Sequence, residues 1–254
     1  MILYIILSDL SNSFQNPIER NNKKMTIDQT KIYDECVKKL PLTTSRLSDE
    51  YYYDSLPLCV IDAVFSIGVR YPSTRNTVIK FCNNQGALTR ISPPPSKQSD
   101  GYTIDDLLSA ISTQEDKGAS EIFENTQKTS SKNGILKSKA VYEFATVLKN
   151  NDIQTLSDIR SANNAKINKI EDEIKKIKGQ SSGISFSYFL MLSGDDNHMK
   201  IDRWLLRFVD GATDKKYTVS TAYYDLKEVC KELQKTYTSM TPRLLDHIIW
   251  NYMK

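Results

Sequence analysis

Apolar residues recur along the chain at intervals of three and four, the spacing of one face of a helix, and alternation at period two is missing. Ile32, Tyr33, Cys36, Val37 and Leu40 follow Thr26 and Gln29, whose separation lets each side chain take the other's backbone amide at a helix start. Pro41, which has no amide hydrogen and clashes with the preceding turn, ends that helix. Residues 56–81 are the most apolar stretch, and Gly68 with Pro72 divides them into a buried helix, a loop and a second helix. A Ser/Pro-rich segment at 92–100 reads as a loop. Thr103 and Asp106 then form a second reciprocal cap ahead of Ile104, Leu107, Leu108 and Ile111. The polar region from Gln114 to Asn133 predicts a short helix and a loop, and helices resume over Ile135–Leu148 and near Ile153–Ile159. Lys166 to Gly179 carries Ile167, Ile170, Ile174 and Ile177 on one stripe.

In the last third, residues 178–183 form a short hairpin bounded by glycines, 184–192 an apolar helix and 193–199 a loop, after which a helix opens near Asp202. Two closing helices occupy 222–254, one from about Ala222 to Leu233 and one opened by Thr241 and Pro242 at the cap and first-turn positions. The expectation is an all-α fold of about ten helices with no strand.

Composition agrees with that pattern. Nine glycines and eight prolines in 254 residues are too few for the turns of a sandwich, a barrel or a doubly wound sheet. With 34 Lys+Arg against 31 Asp+Glu, a net charge of +3 marks no polyanion-binding protein in bulk, so any such role rests on where the charges sit. Cys36, Cys59, Cys82 and Cys230 lie far apart and never approach metal-ligand spacing, which predicts reduced, buried thiols and no metal. The apolar opening, residues 1–7, is too short to span a membrane and lacks the flanks of a signal peptide. Residues 1–24 read as a loose tail or an upstream start, with the folded unit at 25–254 and a cytoplasmic setting.

A helix that ends in Gly-x-x-x-Gly, Gly179 to Gly183, and runs straight into an apolar helix exposes backbone N–H groups where a DNA phosphate can dock, with Lys175, Lys176 and Lys178 beside it. The null alternative for such a turn is a plain connection. An aspartate, Asp202, begins the next helix in the context Lys-Ile-Asp-Arg-Trp-Leu-Leu-Arg-Phe. In these features the chain resembles the helix-hairpin-helix DNA glycosylase superfamily, the group of endonuclease III, adenine DNA glycosylase and 8-oxoguanine DNA glycosylase. Ile177, Gly179 and Gly183 match its hairpin, 193–202 its catalytic loop and Asp202 its catalytic aspartate. Gly134–Phe144 is similar to the family's Gly-x-x-x-x-Lys-Ala helix start, and 56–69 to its long apolar helix with a wedge-bearing loop.

The resemblance implies two helical subdomains with the hairpin and an active-site cleft between them. It implies duplex DNA as partner, with a base flipped into a pocket, and neither a membrane nor an obligate protein partner. The expected role of Asp202 is to stabilise the oxocarbenium character of the sugar as the N-glycosidic bond breaks, and to orient the attacking water; an ordinary N-cap is the bland reading. DNA contacts are expected from Lys178, Gly179, Ser181, Gly183, Lys200, Arg203 and Arg207, and a wedge or base pocket from Val69, Arg70, Tyr71, Tyr52 and His198. Trp204 and Trp250 read as core anchors, and Arg243 with Asp246 as a stabilising pair.

Departures from the family pattern narrow the expectation. Members that also cut the strand carry a lysine in the second hairpin helix; here Gly183 or Ile184 stands there, which predicts a monofunctional enzyme that leaves an abasic site. A lyase using Lys178 or Lys200 instead is a third reading. The hairpin has Lys178 and Ser181 where the family has proline and glycine, and no cofactor is implied beyond a monovalent cation held by hairpin carbonyls, as in relatives. This divergence and the polar insert at 114–133 point to an unusual base, such as glucosylated hydroxymethylcytosine in phage DNA, which makes antiviral defence an alternative to repair. The competing class is a non-catalytic helix-hairpin-helix module that binds DNA within a larger complex.

Overall fold

The computed structural model describes residues 24–48, 51–85, 101–112 and 118–254. The tail expected at 1–24, apart from Lys24, and the loop at 92–100 lie outside the described residues. Among the described residues twelve helices run in order: α1 (Ile27–Lys39), α2 (Leu56–Phe65), α3 (Tyr71–Asn84), α4 (Ile104–Ser112), α5 (Gly118–Phe123), α6 (Lys137–Asn150), α7 (Leu156–Ser161), α8 (Asn164–Ile174), α9 (Ile184–Leu192), α10 (Arg203–Thr213), α11 (Val219–Leu233) and α12 (Pro242–Met253). Among the described residues the β-type pairing is one isolated bridge, Lys128 to Leu136, so the fold is all-α as the periodicity predicts.

Local chemistry sets most boundaries. Thr26 and Gln29 cap each other at α1, as Thr103 and Asp106 do at α4. Reciprocal caps also start α7 at Thr155 and α11 at Thr218, so these helices begin a few residues away from where the apolar spacing alone places them. Pro57, Pro72 and Pro242 sit in first turns, where no intrahelical amide is needed. Helix α8 stops at Ile174, and residues 175–183 form consecutive turns.

Apolar side chains gather in two clusters. The first comprises α2 to α9 around Phe65, Phe81 and Phe123 and around Phe144, Phe186 and Phe189. Helix α2 is apolar all round and buried at every position, packed against α9, α6 and α3. The second cluster joins the first described helix to the last three: α1 packs on α10 and α11, and α10 on α12, around Ile32, Leu205, Leu226 and Leu245. The chain therefore leaves the second cluster after α1, builds the first, and returns through residues 193–202. Polar bonds tie the two together: Arg243 Nη2 donates to the Tyr51 carbonyl at 2.9 Å and Lys200 Nζ to Ser66 Oγ at 2.8 Å.

Candidate active-site cleft

A cleft of about 740 Å³ lies where the two clusters meet. It is lined by the turn after α2 (Ser66 to Arg70) and the first residue of α3, Tyr71. Tyr188 and Met191 of α9, Lys200 and Asp202 to Trp204, and Arg243, Asp246, His247 and Trp250 of α12 complete the lining.

Asp202 is the N-cap of α10. Its Oδ1 accepts the amides of Trp204 at 2.7 Å and Leu205 at 3.3 Å, which pins the carboxylate to a helix start. Its Oδ2 has no hydrogen-bond partner among the described residues, so one oxygen holds the side chain and the other remains available within the cleft.

Lys200 lies two residues earlier. Its ammonium donates to Ser66 Oγ and sits 3.8 Å above the Tyr188 ring. Removal from bulk water lowers its pKa, against the opposing pull of Asp62, Asp202 and Asp246. Asp246, buried on α12, accepts the Lys200 backbone amide through Oδ2. Burial, reinforced by Asp202, pushes its carboxyl up to about 8, so it carries a proton at neutral pH.

A second lysine braces the wall. Lys137, at the start of α6 and 2% exposed, donates Nζ to the carbonyls of Phe65 at 2.8 Å and Ile67 at 2.7 Å, the unpaired end of α2 and the turn beyond it. Burial and the neighbouring Lys200 charge lower it to about 8. Gly68, with φ +73, gives that turn its left-handed residue.

Aromatic rings line the side towards α12. Tyr51 lies 4.6 Å from His247 and 6.3 Å from Tyr71, which in turn is 5.9 Å from Trp250; Lys254 Nζ sits 3.9 Å over the Trp250 ring. Trp204 is flanked by Arg203 at 5.0 Å and Arg207 at 5.1 Å. Lys200, Asp202, Arg203, Val69, Arg70 and Tyr71 thus share one cleft.

Other expected residues stand elsewhere. Tyr52 does not line the cleft: its ring lies under the Arg243 guanidinium at 4.8 Å, Tyr53 is buried with its hydroxyl on Asp62 at 2.6 Å, and Tyr51 is the tyrosine of that run in the wall. His198 is also outside the lining. Its Nε2 is 3.2 Å from Asp195 Oδ2, a contact that holds the Asp195 carboxyl down at about 2. Arg207 is absent from the lining, its guanidinium 5.1 Å from the Trp204 ring, and of the two arginines of α10 it is Arg203 that lines the cleft. Lys178, Gly179, Ser181 and Gly183 are absent from the lining, where the adjoining Ile184 stands instead.

The hairpin glycines have structural reasons of their own. Gly179 has φ +91, and a Cβ there would lie 2.4 Å from the Thr129 Cβ. Gly183, with φ +73, is the N-cap of α9. Two hairpin amides are already used internally, Gln180 N–H to the Ile177 carbonyl and Gly183 N–H to the Gln180 carbonyl. Trp204 lines the cleft instead of anchoring a core, while Trp250 lines it and also packs against the second cluster. Arg243 bonds Tyr51 and Asp196 while Asp246 bonds Lys200, so the two do not serve as each other's hydrogen-bond partner. Lys137, Tyr188 and the α12 residues gave little warning, because each enters the site through packing between distant segments.

The chain belongs to the family described as Domain of unknown function (DUF8548), whose model matches residues 30–254 and so spans both clusters. No curated protein and no solved structure matches it. Among the described residues no helix is long and apolar enough to cross a membrane, and the four cysteines are free and buried.

Proposed function

We propose that this protein is a DNA N-glycosylase that flips a base into the cleft and hydrolyses its glycosidic bond, leaving an abasic site. The observation that carries the reading is Asp202, a carboxylate fixed through Oδ1 with Oδ2 unengaged, in a cleft lined by Arg70, Lys200, Arg203, Arg243 and Lys254. With Asp246 protonated, the cationic lining suits a polyanion. The rings of Tyr51, Tyr71, His247 and Trp250 offer faces on which a flipped base stacks.

In this mechanism Asp202 Oδ2 lies beside the sugar, stabilises the charge that develops as the base departs, and orients the water that attacks C1′. Exposed Arg70 and Arg203 hold flanking phosphates, and Val69 and Tyr71, beside the turn braced by Lys137, occupy the space left in the duplex. A cleft of about 740 Å³ lies in the upper part of the range for small-molecule sites, which favours a bulky base. A modified cytosine such as glucosylated hydroxymethylcytosine in phage DNA is the form this reading takes, with antiviral action in the cytoplasm as its setting.

The test is incubation of the protein with plasmid and phage DNAs carrying different base modifications, with alkali-dependent strand breaks and released bases measured by mass. A free base with breaks only after alkali is the expected result. Asp202→Asn should lower base release at least about 100-fold while DNA affinity is kept. Intact DNA across the panel despite binding sinks the enzyme reading in favour of a non-catalytic DNA-binding module.

A further inference from the structure

We propose that Asp246 is the general acid of the cleft, its Oδ1 handing a proton to the departing base while Asp202 Oδ2 attends to the sugar. The inference rests on the glycosylase reading and deepens it, because the leaving base needs a proton that Asp202, acting as a carboxylate, does not supply.

Asp246 reaches the cleft from α12 and Asp202 from the start of α10, so carboxyl groups from two separate elements share one cavity. Each is fixed through one oxygen. Asp202 Oδ1 accepts the amides of Trp204 and Leu205, and Asp246 Oδ2 accepts the amide of Lys200, which puts the proton of Asp246 on Oδ1. That oxygen has no partner among the described residues and is not sealed from solvent, on a side chain that is otherwise buried. The charged and titratable groups around Asp246 are Lys200 and Asp202 from the segment before α10, Tyr188 of α9, and Arg243 of its own helix. Burial, reinforced by Asp202, outweighs Lys200 and Arg243, and the carboxyl titrates at about 8. A pair in which one carboxyl keeps its proton at neutral pH and the other serves as the carboxylate divides the acid's task from the electrostatic one.

Other donors of the lining fit this task less well. The guanidinium groups of Arg70, Arg203 and Arg243 do not release their protons in water. Burial holds the Tyr188 phenol well above its usual range, and Lys200 Nζ is turned to Ser66 Oγ.

The step balances with water as the other reactant. The C1′–N bond breaks with its electron pair passing to the base, and the proton moves from Asp246 Oδ1 to a ring nitrogen or carbonyl oxygen of that base. Water adds to C1′ and gives a proton to Asp202 Oδ2. The products are the neutral free base and the abasic sugar, and proton exchange with solvent restores both carboxyls. Bases that leave badly as anions, as cytosine derivatives do, depend most on this proton.

The test is single-turnover base release as a function of pH, from phage DNA carrying glucosylated hydroxymethylcytosine or from whichever DNA of the panel yields a free base. With the unaltered chain the rate should fall about tenfold per pH unit above a midpoint of about 8. Asp246→Asn, which keeps an acceptor for the Lys200 amide, should lower the rate at pH 7 at least about 100-fold and abolish that descent, with DNA affinity kept. Two readouts do not depend on catalysis by the variant: the descent in the unaltered protein, and a protonated-carboxyl infrared band at pH 7 that the variant loses. A purely structural role would slow the variant and leave the descent in place. Base release with no descent, with a descent that survives Asp246→Asn, or without the infrared band overturns the inference and keeps the glycosylase reading. Base release from no DNA of the panel removes that reading and this role with it.

Discussion

Asp246 shows how one side chain's surroundings become a property that can be measured. Its folded-state carboxyl is raised from 3.8 to about 8 by burial. The native protein therefore holds this proton more tightly than the unfolded chain does, and its contribution to stability is fully present below pH 3.8 and lost as pH rises towards about 8. Asp246→Asn, whose side-chain oxygen can still accept the Lys200 amide, should flatten that decline. Thermal midpoints of the two proteins measured from pH 4 to 8 should diverge increasingly in favour of the variant; parallel curves would refute the shift. At this scale the capping residues were legible in the sequence, since a cap needs only a partner three residues away, as Thr26 and Gln29 show. Which of Tyr51, Tyr52 and Tyr53 faces the cleft was not legible. Three identical neighbours differ only in direction, and Arg243 and Asp62, both distant from Tyr52 or reached through the α2 fold, set those directions.

Among the elements, the turn between α2 and α3 depends on a residue far along the chain. Lys137→Met removes the donor to the Phe65 and Ile67 carbonyls and should cost about 1–3 kcal/mol, visible as a lower denaturation midpoint. In the glycosylase reading it also lowers base release, because the wedge residues sit on the loosened turn. Gly179→Ala places a Cβ 2.4 Å from Thr129 in a left-handed residue and should cost about 2 kcal/mol or more. If that variant keeps its stability but loses DNA affinity, the glycine serves a phosphate and not the packing against Thr129. The hairpin was legible as a glycine-bounded turn. Its close contact with residue 129 was not, because that neighbour lies fifty positions back in the chain.

For the whole molecule, the clustering of cations matters more than their sum. Net charge is +3, yet five cations line the cleft, of which Arg70, Arg203 and Lys254 are exposed. If each of these three meets one phosphate, log affinity for duplex DNA should fall against log salt with a slope of about −3, and Arg203→Gln should reduce it by about one. A slope near zero in filter-binding titrations would exclude the cleft as the DNA surface.

Helical identity, most helix ends and the position of Asp202 at the start of α10 follow from residues within four places of one another, so the chain's own order sufficed for them. The cleft does not follow from such spacing. Trp204 read as core because an apolar side chain facing a cavity has the same helical spacing as one facing another helix. Joining α1 to α10–α12 brings Asp246 onto the Lys200 amide and Arg243 onto Tyr51, and only that tertiary packing places α12 in one cleft with the turn that Lys137 supports.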